Sequence, residues 1–117
     1  MPLLTICGRS PLSRGDQIYV IRPFAGLSGV YEHHGIDCGD GTVIHYRKTE
    51  QVIISRTTLP SFTHGRLIYT KQYISSFIDN DVVRRAESRL GEDRYHLLYN
   101  NCEHFATWCK TGRSESQ

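Results

Sequence analysis

Tyr31-Glu32-His33-His34-Gly35-Ile36-Asp37-Cys38-Gly39-Asp40-Gly41-Thr42-Val43-Ile44-His45-Tyr46 reads as one β-hairpin, and the rest of the chain can be placed around it. A strand from Val30 runs through Cys38, Gly39-Asp40-Gly41 makes the loop, and a second strand leaves from Thr42. With three residues in the loop, Cys38 faces Thr42 and Gly35 lies opposite His45. His33 is then on the same face, two residues along, as a diagonal neighbour of His45. A two-residue turn would send His45 to the other face. The three-residue loop therefore pairs His33 with His45 and points His34 away.

Working outward, the next informative stretch is Asn100-Asn101-Cys102-Glu103-His104-Phe105. Asn101 suits a helix N-cap, Phe105, Ala106, Trp108 and Cys109 recur at helical spacing, and Gly112 makes a stop. Cys102 falls in the first turn, where unpaired backbone N–H groups and the helix dipole favour an anion. Those conditions are expected to lower a thiol pKa. A nucleophile, a base and a group that orients the base are defined by role and not by chain order. Cys102 with the His33–His45 pair points to nucleophilic acyl transfer.

These blocks resemble the lecithin:retinol acyltransferase family, including the HRAS-like suppressor phospholipase/acyltransferases and their bacterial relatives. The family pattern has a His, an apolar strand, a Gly-Asp-Gly-like turn, a second His twelve residues on and an Asn-Cys-Glu-His-Phe helix box. The matching residues are His33, Gly39 to Gly41, His45, and Asn101 to Phe105. Gly15-Asp16-Gln17-Ile18-Tyr19 and Arg22-Pro23-Phe24 match the opening strand. The resemblance covers residues 14–113 as one domain. It implies an α+β fold with a circularly permuted papain-like core, as in NlpC-type cysteine peptidases, and an antiparallel sheet packed against helices. Carried over by position, Cys102 is the nucleophile, His33 the general base and His45 its orienting partner. Tyr31 and Arg22 match positions near the family's site, and Asn101 shapes the start of the Cys helix. The sequence departs from the pattern in three places. His34 stands where the animal enzymes usually carry an aromatic, residues 25–30 are a Gly-containing insertion, and no membrane-spanning segment follows the Cys helix in this sequence.

Composition agrees with that reading. The 117 residues suit one domain, and 38% hydrophobic with 22% charged residues describe an ordinary globular chain. Fourteen basic residues are offset by twelve acidic ones, and the net charge of +2 argues against a nucleic-acid partner. Cysteines 7, 38, 102 and 109 have no paired spacing, and the first residues lack a signal-peptide pattern. A reducing cytosolic compartment with free thiols is expected. No stretch approaches the ~20 apolar residues that cross a bilayer. Any membrane contact is expected to be peripheral, through apolar loop residues such as Leu27 and Val30.

Elsewhere, strands are expected at 17–21, 51–56 and 67–69, a short helical turn at 61–64 and a surface helix at 81–90. That helix would turn Val82, Val83, Ala86 and Leu90 inward. Strands first and helices later indicate α+β. Cys7, Cys38 and Cys109 are read as packing residues, since cysteine is commonly buried. His104 points away from Cys102 on the helix, and His64 and His96 belong to loops or the surface. A metal site lacks recognisable ligand spacing, and Gly39-Asp40-Gly41 lacks the Gly-Lys-Ser/Thr of a phosphate loop.

The expected function is a thiol-dependent acyltransferase or phospholipase needing no cofactor or metal. The resemblance implies a phospholipid acyl donor, with water, an amine or an alcohol as acceptor. Two readings compete: a cysteine peptidase or amidase with the same Cys–His site, and a non-catalytic lipid-binding or adaptor module.

Overall fold

The computed structural model describes residues 12–24, 26, 28–48, 51–93 and 101–113. Five strands, β1 (Gln17–Pro23), β2 (Val30–Asp37), β3 (Thr42–Lys48), β4 (Val52–Thr58) and β5 (Tyr69–Lys71), form one sheet in the order β4-β3-β2-β1-β5. Every neighbouring pair is antiparallel. Helix α1 (Leu59–Thr63) follows β4 directly, and α2 (Asp79–Glu87) and α3 (Asn101–Thr111) follow β5.

The hairpin has the expected register. Gly35 pairs with His45, and the Cys38 N–H donates to the Thr42 carbonyl at 3.0 Å. Its loop is held by short polar side chains: Asp37 Oδ1 accepts the Gly39 N–H at 2.8 Å, and Asp40 Oδ1 accepts the Thr42 N–H at 3.1 Å. Gly39 and Gly41 have φ of +82° and +89°, which other residues adopt only at a cost.

Strict alternation along β2 and β3 divides the interior into two layers. Ile36, Ile44, Tyr46 and Ile54 pack beneath α2 and α3 with Val82, Val83, Cys102, Phe105 and Cys109. Ile18, Val20, Val43 and Phe62 of α1 form a smaller cluster. Because Val43 and Ile44 are consecutive strand residues in different clusters, the two clusters lie on opposite faces. Gly35 is required by the second layer. A Cβ there would lie 2.7 Å from Val43 Cγ1 and 2.9 Å from the Phe62 ring.

Several boundaries move. The third expected strand is Tyr69–Lys71, since its pairing with Gln17–Tyr19 of β1 sets its extent. Helix α1 begins at Leu59 with Thr58 as its cap, and His64 takes the left-handed position at φ 50°. Helix α2 runs over Asp79–Glu87, so Leu90 falls in the turn beyond it and is 41% exposed, not inward. Cys38 and Cys109 are buried as expected, while Cys7, Leu27, His96 and Asn100 lie outside the described residues. No helix among the described residues is long and apolar enough to cross a membrane.

Candidate functional site

The two ladders flanking β2 differ in length, and the difference makes the site. β1 stays paired with β2 out to Pro23–Val30, and β3 with β4 out to Lys48–Val52. The β2–β3 ladder ends at Gly35–His45. Beyond that pair the sheet splits. The Asp37 N–H points to β1, where it donates to the Asp16 carbonyl, and the Cys38 N–H points to β3. By alternation, the backbone polar groups of Glu32 and His34 also point towards β3, into the split.

Cys102 fills that position. It is the second residue of α3, and its thiol donates to the Glu32 carbonyl at 3.5 Å. The backbone N–H groups of His34, Glu103 and Cys102 itself also act on the sulfur. The sulfur thus touches the backbone on both sides of His33. Asn101 is the first helical residue and not the cap, a common one-residue difference at helix ends.

His33 and His45 project from the face opposite α3, as the hairpin register required. Their rings meet edge to face, with His33 Nε2 and His45 Nδ1 2.9 Å apart. Phe62 of α1 packs on both rings at 5.3 and 4.9 Å. His45 Nε2 lies 2.8 Å from Thr57 Oγ1, whose hydroxyl donates to the Thr58 carbonyl. Arg22 shares this face, donating from Nη2 to the Phe62 carbonyl at 2.7 Å. Its Nε is buried without a hydrogen-bond partner among the described residues. Tyr31 meets His33 edge on at 6.3 Å and packs against Phe24.

His34 points the other way, towards the α3 side. It is completely buried, stacked on Tyr19 at 4.7 Å, and bonded to Gln17 and Glu32. Glu103, next to Cys102, carries Lys71 on its carboxylate at 2.7 Å.

Burial dominates the electrostatics. The Cys102 thiol is pushed up to about 11, because desolvation of the thiolate outweighs the helix N–H groups. The expectation of a lowered thiol pKa is therefore reversed in the resting protein. Burial and then the Arg22 guanidinium hold His33 well below the ordinary imidazole range. The same two causes lower His45 to about 4. Thiol and both imidazoles are neutral at pH 7.

Sequence reading missed Thr57, Phe62 and Gln17. Thr57 and Phe62 reach the histidines only through the β3–β4 register and the placement of α1, which carry no local motif. Gln17 is a fully buried amide in a strand, and only burial marks it.

The family model for lecithin retinol acyltransferase matches residues 10–115 of this chain. Human phospholipase A and acyltransferase 1 is 28% identical over 123 residues, covering 88% of this chain and 70% of that protein. Lecithin retinol acyltransferase of Mus musculus is 54% identical over 37 residues, which is 32% of this chain and 16% of that protein. Human lecithin retinol acyltransferase is 40% identical over 60 residues, 47% of this chain and 26% of that protein. Since the family match spans nearly the whole sequence, hairpin, split sheet and Cys102 helix included, the chain belongs to the lecithin retinol acyltransferase family.

Proposed function

We propose that residues 14–113 form a thiol-dependent lipid acyltransferase/phospholipase domain on a circularly permuted papain-like core. The names of the relatives support lipid acyl transfer. The observation that carries the mechanism is the sulfur of Cys102 seated on the β2 backbone at His33, with His33 bonded to His45.

The direction of the hydrogen bonds identifies the base. The Thr58 carbonyl only accepts, so a Thr57 hydroxyl that donates to it is free to accept from His45 Nε2–H. A neutral His45 donates from one nitrogen only. The 2.8 Å bond to Thr57 is shorter than the 3.2 Å approach of Nδ1 to the Tyr46 carbonyl, which favours Nε2 as the donor. His45 Nδ1 is then a lone pair, His33 Nε2–H donates to it, and His33 Nδ1 is the nitrogen left to take a proton.

With thiol and imidazole both neutral, the thiolate forms as attack proceeds. His33 Nδ1 removes the Cys102 proton while sulfur bonds to the ester carbonyl carbon. The oxyanion is met by backbone N–H groups at the start of α3, supported by Tyr31, with Asn101 fixing the turn. The alcohol leaves with the proton returned by His33, giving an acyl thioester on Cys102. Water, an amine or an alcohol then attacks the thioester, giving a free fatty acid, an amide or an ester. Burial, reinforced by the Arg22 guanidinium, keeps His33 unprotonated at rest. The protein acts in the cytoplasm, peripherally at membranes, where Val30, 61% exposed beside the site strand, adds apolar contact.

Intact-mass detection of an acyl adduct on Cys102 tests this across phospholipids and peptide amides. The expected result is a fatty-acyl mass increment from phospholipid that Cys102→Ser abolishes. Cys102-dependent cleavage of peptide amides with every phospholipid untouched would overturn the lipid reading.

A further inference from the structure

The polar set on the α3 side of the sheet is not used by the chemistry above, yet it forms a hydrogen-bonded chain from Glu32 through His34, Gln17 and Tyr73 to Thr107. Tyr73 donates its O–H to Gln17 Oε1 at 2.7 Å, so the amide N–H of Gln17 faces His34 Nδ1, 3.0 Å away. His34 Nδ1 therefore accepts, and His34 Nε2 carries the proton. That N–H donates to Glu32 Oε1 at 3.0 Å and lies 3.9 Å from Glu103 Oε2. Tyr73 Oη also sits 3.2 Å from Thr107 Oγ1. Glu103 and Thr107 are i and i+4 on α3, so one helix face reaches His34, Thr107 through the Tyr73–Gln17 chain and Glu103 as a neighbour beyond hydrogen-bond distance.

We propose that His34 is the positioning residue of the Cys102 thiol, holding the second turn of α3 to β2 through the Gln17–Tyr73–Thr107 chain at Nδ1, with Glu103 of the first turn beside Nε2. The inference rests on Cys102 being the nucleophile. Its physical basis is that the sulfur is held by backbone groups of β2 but carried by α3. Any slide of the helix along the strand changes its distance to the Glu32 carbonyl and the His34 N–H. His34 has no lone pair to offer the thiol, because Gln17 occupies Nδ1 and Nε2 bears hydrogen. It is not a second base. The charged and titratable groups facing it are Glu32 on β2, Glu103 on α3, Lys71 on β5 and Tyr19 on β1. Burial lowers the His34 pKa, with Glu32 opposing, which keeps the ring neutral at pH 7.

The test is the pH–rate profile of Cys102 alkylation by iodoacetamide in the full chain, located by peptide mapping and paired with thermal unfolding. It reads the thiol directly and does not depend on lipid turnover. His34→Phe keeps the buried volume and the stack on Tyr19 but loses both polar ties. Its Cys102 should react about 3- to 10-fold more slowly at pH 7, the scale of one hydrogen bond. His34→Gln, which can still donate to Glu32, should recover part of the rate. Thr107→Val, at the far end of the Gln17–Tyr73 chain, should show a smaller loss in the same direction. A His34→Phe profile that superimposes on the wild type, with or without a lower unfolding temperature, overturns the proposal. So does Cys102 reactivity that vanishes in His34→Phe but survives in His33→Gln, which would make His34 the base. If no ester ever acylates Cys102 while the alkylation profile still shifts, the functional reading fails and the positioning role stands.

Discussion

The two faces of the sheet each bury a histidine from neighbouring positions of one strand, and they treat it differently. On the α1 face, His33 is bonded to His45 and His45 to Thr57, and one His33 nitrogen has no hydrogen bond among the described residues. On the α3 face, His34 has both nitrogens occupied, by Gln17 and by Glu32. A nitrogen left open can take up a proton, whereas an imidazole bonded at both nitrogens can only hold its neighbours in place. Burial is similar for both, so hydrogen-bond direction and not exposure separates the proposed base from its neighbour.

The sharpest way to break this contrast is to remove each histidine in turn. His33→Gln should slow acyl-Cys102 formation by about a thousandfold, within the range for loss of a general base. His34→Phe should stay within about tenfold of the wild type in the same intact-mass assay. Reversed magnitudes would exchange the roles of the two faces.

Acid should expose the α1 face next. The folded-state pKa of His45 is lowered from 6.5 to about 4, so between those values the unfolded chain binds more protons. Stability is therefore complete above pH 6.5 and is lost as pH falls towards 4, by up to about 3 kcal/mol from this group. Urea unfolding from pH 7 to 4 should show that loss, and His45→Asn should make it shallower, with His33 and His34, both lowered by burial, supplying the remainder. A slope unchanged in His45→Asn would remove His45 from the account.

Packing on the same face is probed by Gly35→Ala. The added carbon would meet Val43, Phe62 and His45 within 3.1 Å. Overpacking should cost about 1–3 kcal/mol in denaturant unfolding and displace the His45 ring. The smallest expected effect is from Thr57→Val, which keeps the shape but removes the acceptor for His45 Nε2–H. Acylation should fall roughly tenfold, equivalent to about 1.4 kcal/mol, with little change in stability. An unchanged rate would show that the Tyr46 carbonyl, and not Thr57, sets the His45 tautomer.

Much of this was legible in advance where the signal was local. Gly39-Asp40-Gly41 sets a three-residue loop, and a loop of that length fixes the hairpin register through the two-residue period of a strand. The shared face of His33 and His45 follows from that alone. The first-turn position of Cys102 follows similarly from apolar spacing and Gly112. Leu90 was misplaced because helical spacing continues on paper past Glu87, where the chain turns instead. The β5 strand was set two residues early because pairing with β1, and not its own composition, defines it.

The sequence by itself determined which face of the hairpin each candidate side chain occupies, since periodicity is a property of neighbouring residues. Only the tertiary structure decided where the β2–β3 ladder stops, that Cys102 takes the vacated position on β2, and that Thr57 ends the His45 chain. It also decided the sign of the thiol's pKa shift. Strand pairing, desolvation and hydrogen-bond direction depend on groups brought together from distant parts of the chain, and no local pattern encodes them.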